Sequence, residues 1–159
     1  MESLSTFWLS VLLFVLILAS AFFSSTETSM MAINRYRLKV LSAKNNPRAK
    51  RVERLLNDTD HLIGAILLGN NFVNILAASI ATILAIKLWG AGSVIFASLA
   101  LTLIILIFSE TTPKTFAARH PEKIALPAAI IIEILIKIFN PIIWLIAKVS
   151  QFILKPFGL

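Results

Sequence analysis

The residues of this chain that could do chemistry are a few oxygen-bearing side chains inside long apolar runs. They form three clusters along the sequence: Ser20 and Ser24; Gly69, Asn70 and Asn74; and Glu110. The two serines are four residues apart and share one face of a helix, as do the two asparagines. A polar group in hydrocarbon is costly unless it finds a partner, so each cluster is a candidate for function.

The kinds of oxygen in these clusters favour a hard cation. Hydroxyl, amide and carboxylate oxygens suit Mg²⁺ or Ca²⁺, and sodium, which binds similar oxygens, is the natural competitor. The chain has no cysteine and two histidines, which argues against zinc and copper sites and excludes disulfides. It shows no nucleophile elbow, phosphate loop or paired acid and base. The sequence therefore predicts a cation site and no enzymatic activity.

Each cluster also has a plainer interpretation. Serines in apolar helices often donate to their own backbone or join neighbouring helices. Asn70 and Asn74 could bond across helices, with Gly69 permitting either close approach or local unwinding that frees a carbonyl. Glu110 could face the lipid headgroups at the end of its apolar run. The three clusters become a site only if the helices bring them to one depth.

The elements that carry these residues are predicted to be membrane helices. The chain has 159 residues, of which 58% are hydrophobic and 14% charged, and its mean hydropathy is +0.87. Apolar runs at about 4–31, 61–88 and 93–112 each exceed the roughly 20 residues that a spanning helix needs. Pro113 is expected to kink or end the third run. The predicted fold class is an all-α membrane protein with three transmembrane helices.

A basic segment between the first two runs sets the predicted orientation. Residues 33–57 carry eight lysines and arginines and are expected to form a cytoplasmic helical hairpin, broken at Asn45-Asn46-Pro47. The positive-inside rule then places the N-terminus outside and the C-terminus in the cytoplasm of a multi-pass protein of the cell (inner) membrane. Because these cations flank apolar runs, the net charge of +7 indicates anionic lipids as partners and no nucleic acid.

The last apolar block, residues 122–156, is long enough for a fourth span. Polar residues nevertheless recur along it at helical spacing: Glu133, Lys137, Asn140, Lys148, Gln151 and Lys155. A single polar stripe beside a broad apolar face is typical of a helix that lies along the membrane interface. We therefore expect an amphipathic juxtamembrane belt helix, bent at Pro141, in preference to a fourth span.

Three motifs together resemble those of the CorC/CNNM (cyclin M) transmembrane domain, in the same order and over nearly the whole chain. The motifs are Ser20-Ala21-Phe22-Phe23-Ser24-Ser25-Thr26-Glu27-Thr28, Leu67-Leu68-Gly69-Asn70-Asn71-Phe72-Val73-Asn74 and Ser109-Glu110-Thr111-Thr112-Pro113-Lys114. The resemblance implies a homodimer with three spans per subunit and magnesium export coupled to sodium influx. It implies that Mg²⁺ sits in an inward-facing cavity and is held by Ser20, Ser24, Asn70, Asn74 and Glu110, with the Gly69 carbonyl and Asn71 as secondary candidates.

Members of this family usually continue into cytoplasmic CBS modules that bind adenine nucleotide. The present residues stop at Leu159, before such modules, so the resemblance implies a membrane domain of a longer protein. Two other functions fit the same residues. One is a membrane-embedded magnesium sensor or modulator that binds the ion without transporting it. The other is a structural anchor in which the polar residues only join helices.

Overall fold

The computed structural model describes residues 2–158 and is helical almost throughout that range. Its elements are α1 (Glu2–Ala32), α2 (Arg35–Ala43), α3 (Pro47–Asn57), α4 (Thr59–Trp89), a 3₁₀ turn (Ala91–Ser93), α5 (Val94–Ile104), a π-helical segment (Ile105–Thr111), α6 (Thr112–Arg119), α7 (Pro121–Leu154) and a 3₁₀ turn (Lys155–Phe157). The predicted all-α class is confirmed.

Four helical runs within residues 2–158 are long and apolar enough to cross a membrane: Ser3–Ala32, Thr59–Trp89, Ala91–Arg119 and Pro121–Phe157. The third run continues past the predicted limit of 112, through Pro113, to Arg119. The fourth run contains the predicted belt helix. Length and composition alone leave the number of spans as a prediction, because a belt helix and a spanning helix can have the same apolar content.

Turn residues set the ends of the helices. Asn45 adopts the left-handed conformation (φ 60°) after α2, and Asn46 caps α3 by accepting from the backbone N–H groups of Arg48 and Ala49. Gly90, with φ 85°, follows α4, where a residue with a Cβ would be strained. The chain between α2 and α3 thus turns at the predicted position.

The helices group into two compact units. The first consists of the residues up to Ser25 together with Gly69–Phe116, and the second of Thr26–Leu68 together with the residues from Ala117 onward. The helices α1 and α4 each contribute to both units. All the candidate ion ligands belong to the first unit, so their mutual geometry can be described within one body.

The second unit is built on the contact between α3 and α7. Buried apolar residues recur on both helices at helical spacing: Ala49, Val52, Leu55 and Leu56 on α3, and Ala125, Ala128, Ala129 and Ile132 on α7. Two ion pairs join the hairpin to α7, Arg37–Glu122 at 2.8 Å and Arg54–Glu133 at 3.2 Å. The basic hairpin is therefore attached to the first third of α7.

Candidate metal site

The candidate site is assembled from three helical segments of the first unit. Ser20 on α1 is 1% exposed, and its Oγ donates to Oδ1 of Asn70 on α4 at 3.1 Å. Nδ2 of Asn70 in turn donates to Oε1 of Glu110 in the π-helical segment at 3.5 Å. One chain of hydrogen bonds therefore links one residue from each predicted cluster.

Two further oxygens on the same two helices, α1 and α4, are buried without a hydrogen bond. Within the described residues, Ser24 Oγ and Asn74 Oδ1 are the buried side-chain polar atoms that lack a hydrogen bond. Ser24 is fully buried and lies close enough to the Glu110 carboxyl to interact with it electrostatically, though not at hydrogen-bond geometry. Buried polar atoms are nearly always satisfied in native structures. The two exceptions are Ser24, beside the Glu110 carboxyl, and Asn74, one helical turn along α4 from Asn70. Such oxygens could take a ligand as their partner.

The neighbouring serine shows what a purely structural hydroxyl does here. Ser25 Oγ donates to the carbonyl of Phe22 at 3.0 Å, within its own helix. Ser20 and Ser24 do not use their hydroxyls in this way, since one donates to α4 and the other has no hydrogen bond among the described residues. Donation to their own helix, one of the plainer interpretations, therefore does not apply to these two serines.

Gly69 allows α1 and α4 to approach closely at the level of the site. A Cβ added at this glycine would lie 2.5 Å from Cζ of Phe23, and Phe23 itself is buried. The helix α4 continues unbroken from Thr59 to Trp89, so the alternative of local unwinding at Gly69 is wrong. Close approach is the role the structure gives this residue, and its carbonyl as a ligand stays a prediction.

The helix distortion near Glu110 comes before Pro113, as a π-helical segment from Ile105 to Thr111. Proline has no N–H to donate, and in a regular α-helix its ring would clash with the carbonyl four residues earlier. A π-helical turn relieves such a clash and often occurs at functional sites. Within it, Ser109 is fully buried and donates to the carbonyl of Ile17 at 3.0 Å, which fixes the segment beside α1.

Two residues of the site were not predicted from the sequence. Ser109 has the anchoring role just described, and Lys114 forms an ion pair with Glu110, with 2.9 Å between Nζ and Oε2. The signal for Lys114 was present, because glutamate and lysine four residues apart are neighbours on a helix. The secondary candidate Asn71 is exposed and outside the hydrogen-bonded chain, and Glu27 and Thr28, the polar residues that end the first motif, belong to the second unit.

A groove between α4 and α5 adjoins the site at Asn74, with a volume of about 330 Å³. Its hydroxyl-bearing residues are Thr82, Ser98 and Thr102. Each of these hydroxyls donates to a carbonyl four residues earlier in its own helix. Their remaining lone pairs, like Asn74 Oδ1, can only accept, so this lining is better suited to cations than to anions.

The candidate ligands offer neutral oxygens and a single carboxylate. Residues 2–158 contain no cluster of three or more histidine, cysteine, aspartate or glutamate side chains that could hold a metal. The candidate ligands are instead hydroxyl and amide oxygens around Glu110. Such oxygens suit a magnesium or sodium ion and not a zinc or copper ion.

Comparison with known proteins places the chain in a family. Residues 11–159 match the model of the cyclin M transmembrane N-terminal domain. The chain is 42% identical over 140 residues to the UPF0053 inner membrane protein YfjD of Escherichia coli, covering 88% of this chain and 33% of that protein. It is 40% identical over 159 residues to a UPF0053 protein of Haemophilus influenzae, covering 100% of this chain and 38% of that protein.

A UPF0053 protein of Synechocystis, sll1254, is 33% identical over 140 residues, covering 87% of this chain and 40% of that protein. The chain thus spans between a third and two fifths of the length of these relatives. With its apolar helices, this similarity identifies a multi-pass membrane protein. The chain belongs to the family defined by the cyclin M transmembrane N-terminal domain, as its three motifs suggested.

Proposed function

We propose that this chain is the ion-conducting domain of a magnesium transporter that exports Mg²⁺ in exchange for sodium influx. The protein acts as a homodimer in the bilayer and is not an enzyme. Mg²⁺ is its cargo, and Na⁺ is the coupling ion. The proposed ligands are Ser20, Ser24, Asn70, Asn74 and Glu110, with the Gly69 carbonyl as a further one.

The observation that carries this proposal is the chain of hydrogen bonds from Ser20 through Asn70 to Glu110, with two oxygens that lack hydrogen bonds on the same helices, Ser24 Oγ on α1 and Asn74 Oδ1 on α4. Leaving a buried hydroxyl or amide oxygen without a partner costs about 1–3 kcal/mol each. Ser24 Oγ and Asn74 Oδ1 both carry this cost. A bound cation would give both oxygens a partner and would use the Glu110 charge as well. A site for helix joining alone would instead be expected to satisfy its own hydrogen bonds.

Ion binding also requires one rearrangement at Asn70. In this structure its amide directs Nδ2 toward Glu110 and Oδ1 toward Ser20. A cation at the carboxylate would repel the amide hydrogens, so the Asn70 amide must rotate to present Oδ1 to the ion. The Ser20 hydroxyl would then lose its acceptor and could direct its own lone pairs to the ion.

The membrane topology we propose has three spans and a belt helix, with the N-terminus outside. The support comes from α7, whose residues 122–133 cover about 16 Å of helix. Over this length α7 packs on α3 and pairs with Arg37 and Arg54 of a hairpin that carries eight cations. A segment that contains so many cations stays out of the hydrocarbon. This attachment supports an interfacial position for the first third of α7.

Flux measurements in proteoliposomes test the transport proposal. We expect Mg²⁺ flux that depends on an opposing sodium gradient and that is lost in Asn70→Ala. The matched control is Asn71→Ala, which removes the same group from an exposed position one residue away. Magnesium binding without flux would support the sensor function. Equal behaviour of the two variants, with both folded, would contradict the site.

A further inference from the structure

Both oxygens of the Glu110 carboxylate are engaged in this structure, by groups of different kinds. Oε1 accepts from the neutral amide of Asn70 at 3.5 Å, whereas Oε2 lies 2.9 Å from the ammonium of Lys114. The two side chains of the ion pair are 22% and 42% exposed. The closer and stronger contact of the carboxylate is therefore made by a cation that the chain itself supplies.

The geometry of this pair allows it to open. Lys114 lies one helical turn beyond Glu110, at the start of α6, on a long and flexible stem. Its partly exposed side chain can swing into the aqueous or headgroup region without crossing a packed core. Glu110 is fixed more firmly, because its neighbour Ser109 is buried and bonded to the backbone of α1. The ion pair can thus break by movement of the lysine alone.

We infer that Lys114 is a tethered cation that neutralises Glu110 when no ion is bound and that must leave before an ion can bind. This inference rests on the proposed function and adds an internal competitor to it. A carboxylate left unpaired at membrane depth is costly. The lysine removes that cost in the empty site, so it weakens ion binding and assists ion release.

The alternative is that the pair only stabilises the helix around Pro113. Pairs with glutamate four residues before lysine do stabilise helices. This purely structural role predicts that loss of Lys114 lowers stability and leaves ion affinity unchanged. Competition predicts the opposite pattern, because the same carboxylate cannot serve the lysine and the ion at once.

Magnesium titration of the full chain in lipid nanodiscs distinguishes the two roles. For Lys114→Gln we expect the Kd for Mg²⁺ to fall by about twofold to fivefold, the upper part of the range that a partly exposed ion pair would give. Lys114→Arg keeps a cation at the same place and should leave the Kd close to that of the unsubstituted protein. Lys87→Gln removes the same charge about 25 Å along α4 from Asn70 and should leave Kd unchanged.

A second measurement uses the unsubstituted protein and so does not depend on the folding of a variant. If Mg²⁺ displaces the lysine, saturating Mg²⁺ should increase the rate at which an amine-reactive acylating reagent modifies Lys114. Modification of Lys87 serves as the internal reference. A lysine that merely repels the ion from a distance would show no such increase.

The outcomes separate the two proposals. An unchanged Kd in Lys114→Gln, or labelling of Lys114 that does not respond to Mg²⁺, would overturn the tethered-cation role while leaving magnesium binding intact. Failure of the unsubstituted protein to bind Mg²⁺ would overturn the proposed function and this inference together. Tighter binding in Lys114→Gln with faster labelling in Mg²⁺ supports both.

Discussion

The chain contains two glutamate–lysine pairs with the same spacing and different surroundings. In the first unit, Glu110 pairs with Lys114 at 2.9 Å. In the second unit, Glu133 lies 3.8 Å from Lys137, and its other oxygen is 3.2 Å from Arg54. Both glutamates are about three-quarters buried, so burial does not distinguish them.

What distinguishes the two glutamates is the set of groups around them. Glu133 has two cationic partners and joins α7 to the basic hairpin, so its charge is balanced within the protein. Glu110 has one cation and a neutral amide as partners, and Ser24 Oγ, which lacks a regular hydrogen bond, lies beside it. An acidic side chain with spare acceptors beside it can take another cation, whereas one enclosed by cations cannot. The groups around each glutamate, more than its spacing to a lysine, therefore distinguish a candidate ion site from a structural ion pair.

The largest expected effect comes from removing Glu110, with removal of Glu133 as the comparison. Glu110→Ala should weaken Mg²⁺ binding by at least about 100-fold, since even partners outside the first ligand shell contribute 10–100-fold at metal sites. Glu133→Ala should leave Kd within about twofold, because its carboxylate is already paired with cations. Magnesium titration of both variants checks the comparison, and equal losses of affinity would show that the two carboxylates are equivalent.

Two glycines of α4 extend the comparison to packing. A Cβ at Gly69 would lie 2.5 Å from the Phe23 ring, whereas one at Gly64 in the second unit would lie 3.2 Å from a methyl group of Ile143. Overpacking of this kind costs about 1–3 kcal/mol, so Gly69→Ala should lower the melting temperature clearly and Gly64→Ala much less. Gly92→Ala, where a Cβ meets nothing within 4 Å, is the control.

A second substitution identifies the cause of the Gly69 effect. Shortening Phe23 to alanine removes the ring that the new Cβ would meet. The double variant Gly69→Ala, Phe23→Ala should therefore lose less stability than the sum of the single variants. Strict additivity would show that the Phe23 contact does not explain the sensitivity of Gly69.

The fold class and the three clusters were accessible from the sequence for simple reasons. Apolar runs longer than 20 residues predict membrane helices, and asparagine and proline mark the break at 45–47. Polar side chains inside such runs stand out because hydrocarbon does not solvate them. These features depend on composition and local spacing, which a single sequence contains.

The remaining features depend on tertiary geometry. The π-helical segment before Pro113 relieves the clash between the proline ring and the backbone of the preceding turn. A kink or a helix end would have relieved the same clash, so the sequence alone did not decide among the three. The Lys114 contact follows from spacing, but Lys137 has the same spacing to a glutamate outside the site. Whether a serine hydroxyl finds a hydrogen-bond partner depends on the side chains that the neighbouring helix presents to it. These facts could not be obtained without the structure.

The ion pair between Arg54 and Glu133 should have a modest and purely structural effect. Because Arg54 is 64% exposed, the pair is expected to contribute about 0.2–1 kcal/mol to stability. A double-mutant cycle with Arg54→Gln and Glu133→Gln, followed by thermal unfolding, measures the coupling. The coupling should shrink at high salt. A coupling that instead altered Mg²⁺ affinity would contradict the assignment of Glu133 to a structural role.

The smallest expected effect concerns Asp58, which precedes α4. A hydrogen bond from His61, at 2.8 Å between Nδ1 and Oδ2, holds the pKa of the Asp58 carboxyl below its usual value. A carboxyl whose pKa is lower in the folded state stabilises the protein above its unfolded pKa, near 3.9, and loses this contribution as pH falls through the folded value. The effect is small, because Asp58 is exposed to solvent.

Asp58→Asn should therefore lower the melting temperature slightly at neutral pH, and the difference should vanish once the pH falls below the lowered pKa of the folded state, where the unsubstituted carboxyl is protonated as well. Asp60→Asn, two residues further on and also exposed, is the matched control. Melting curves of the three proteins from neutral to acidic pH make the test. A difference for Asp58→Asn that persisted at low pH would show that the amide disrupts the start of α4 sterically, because no charge would then remain to explain it.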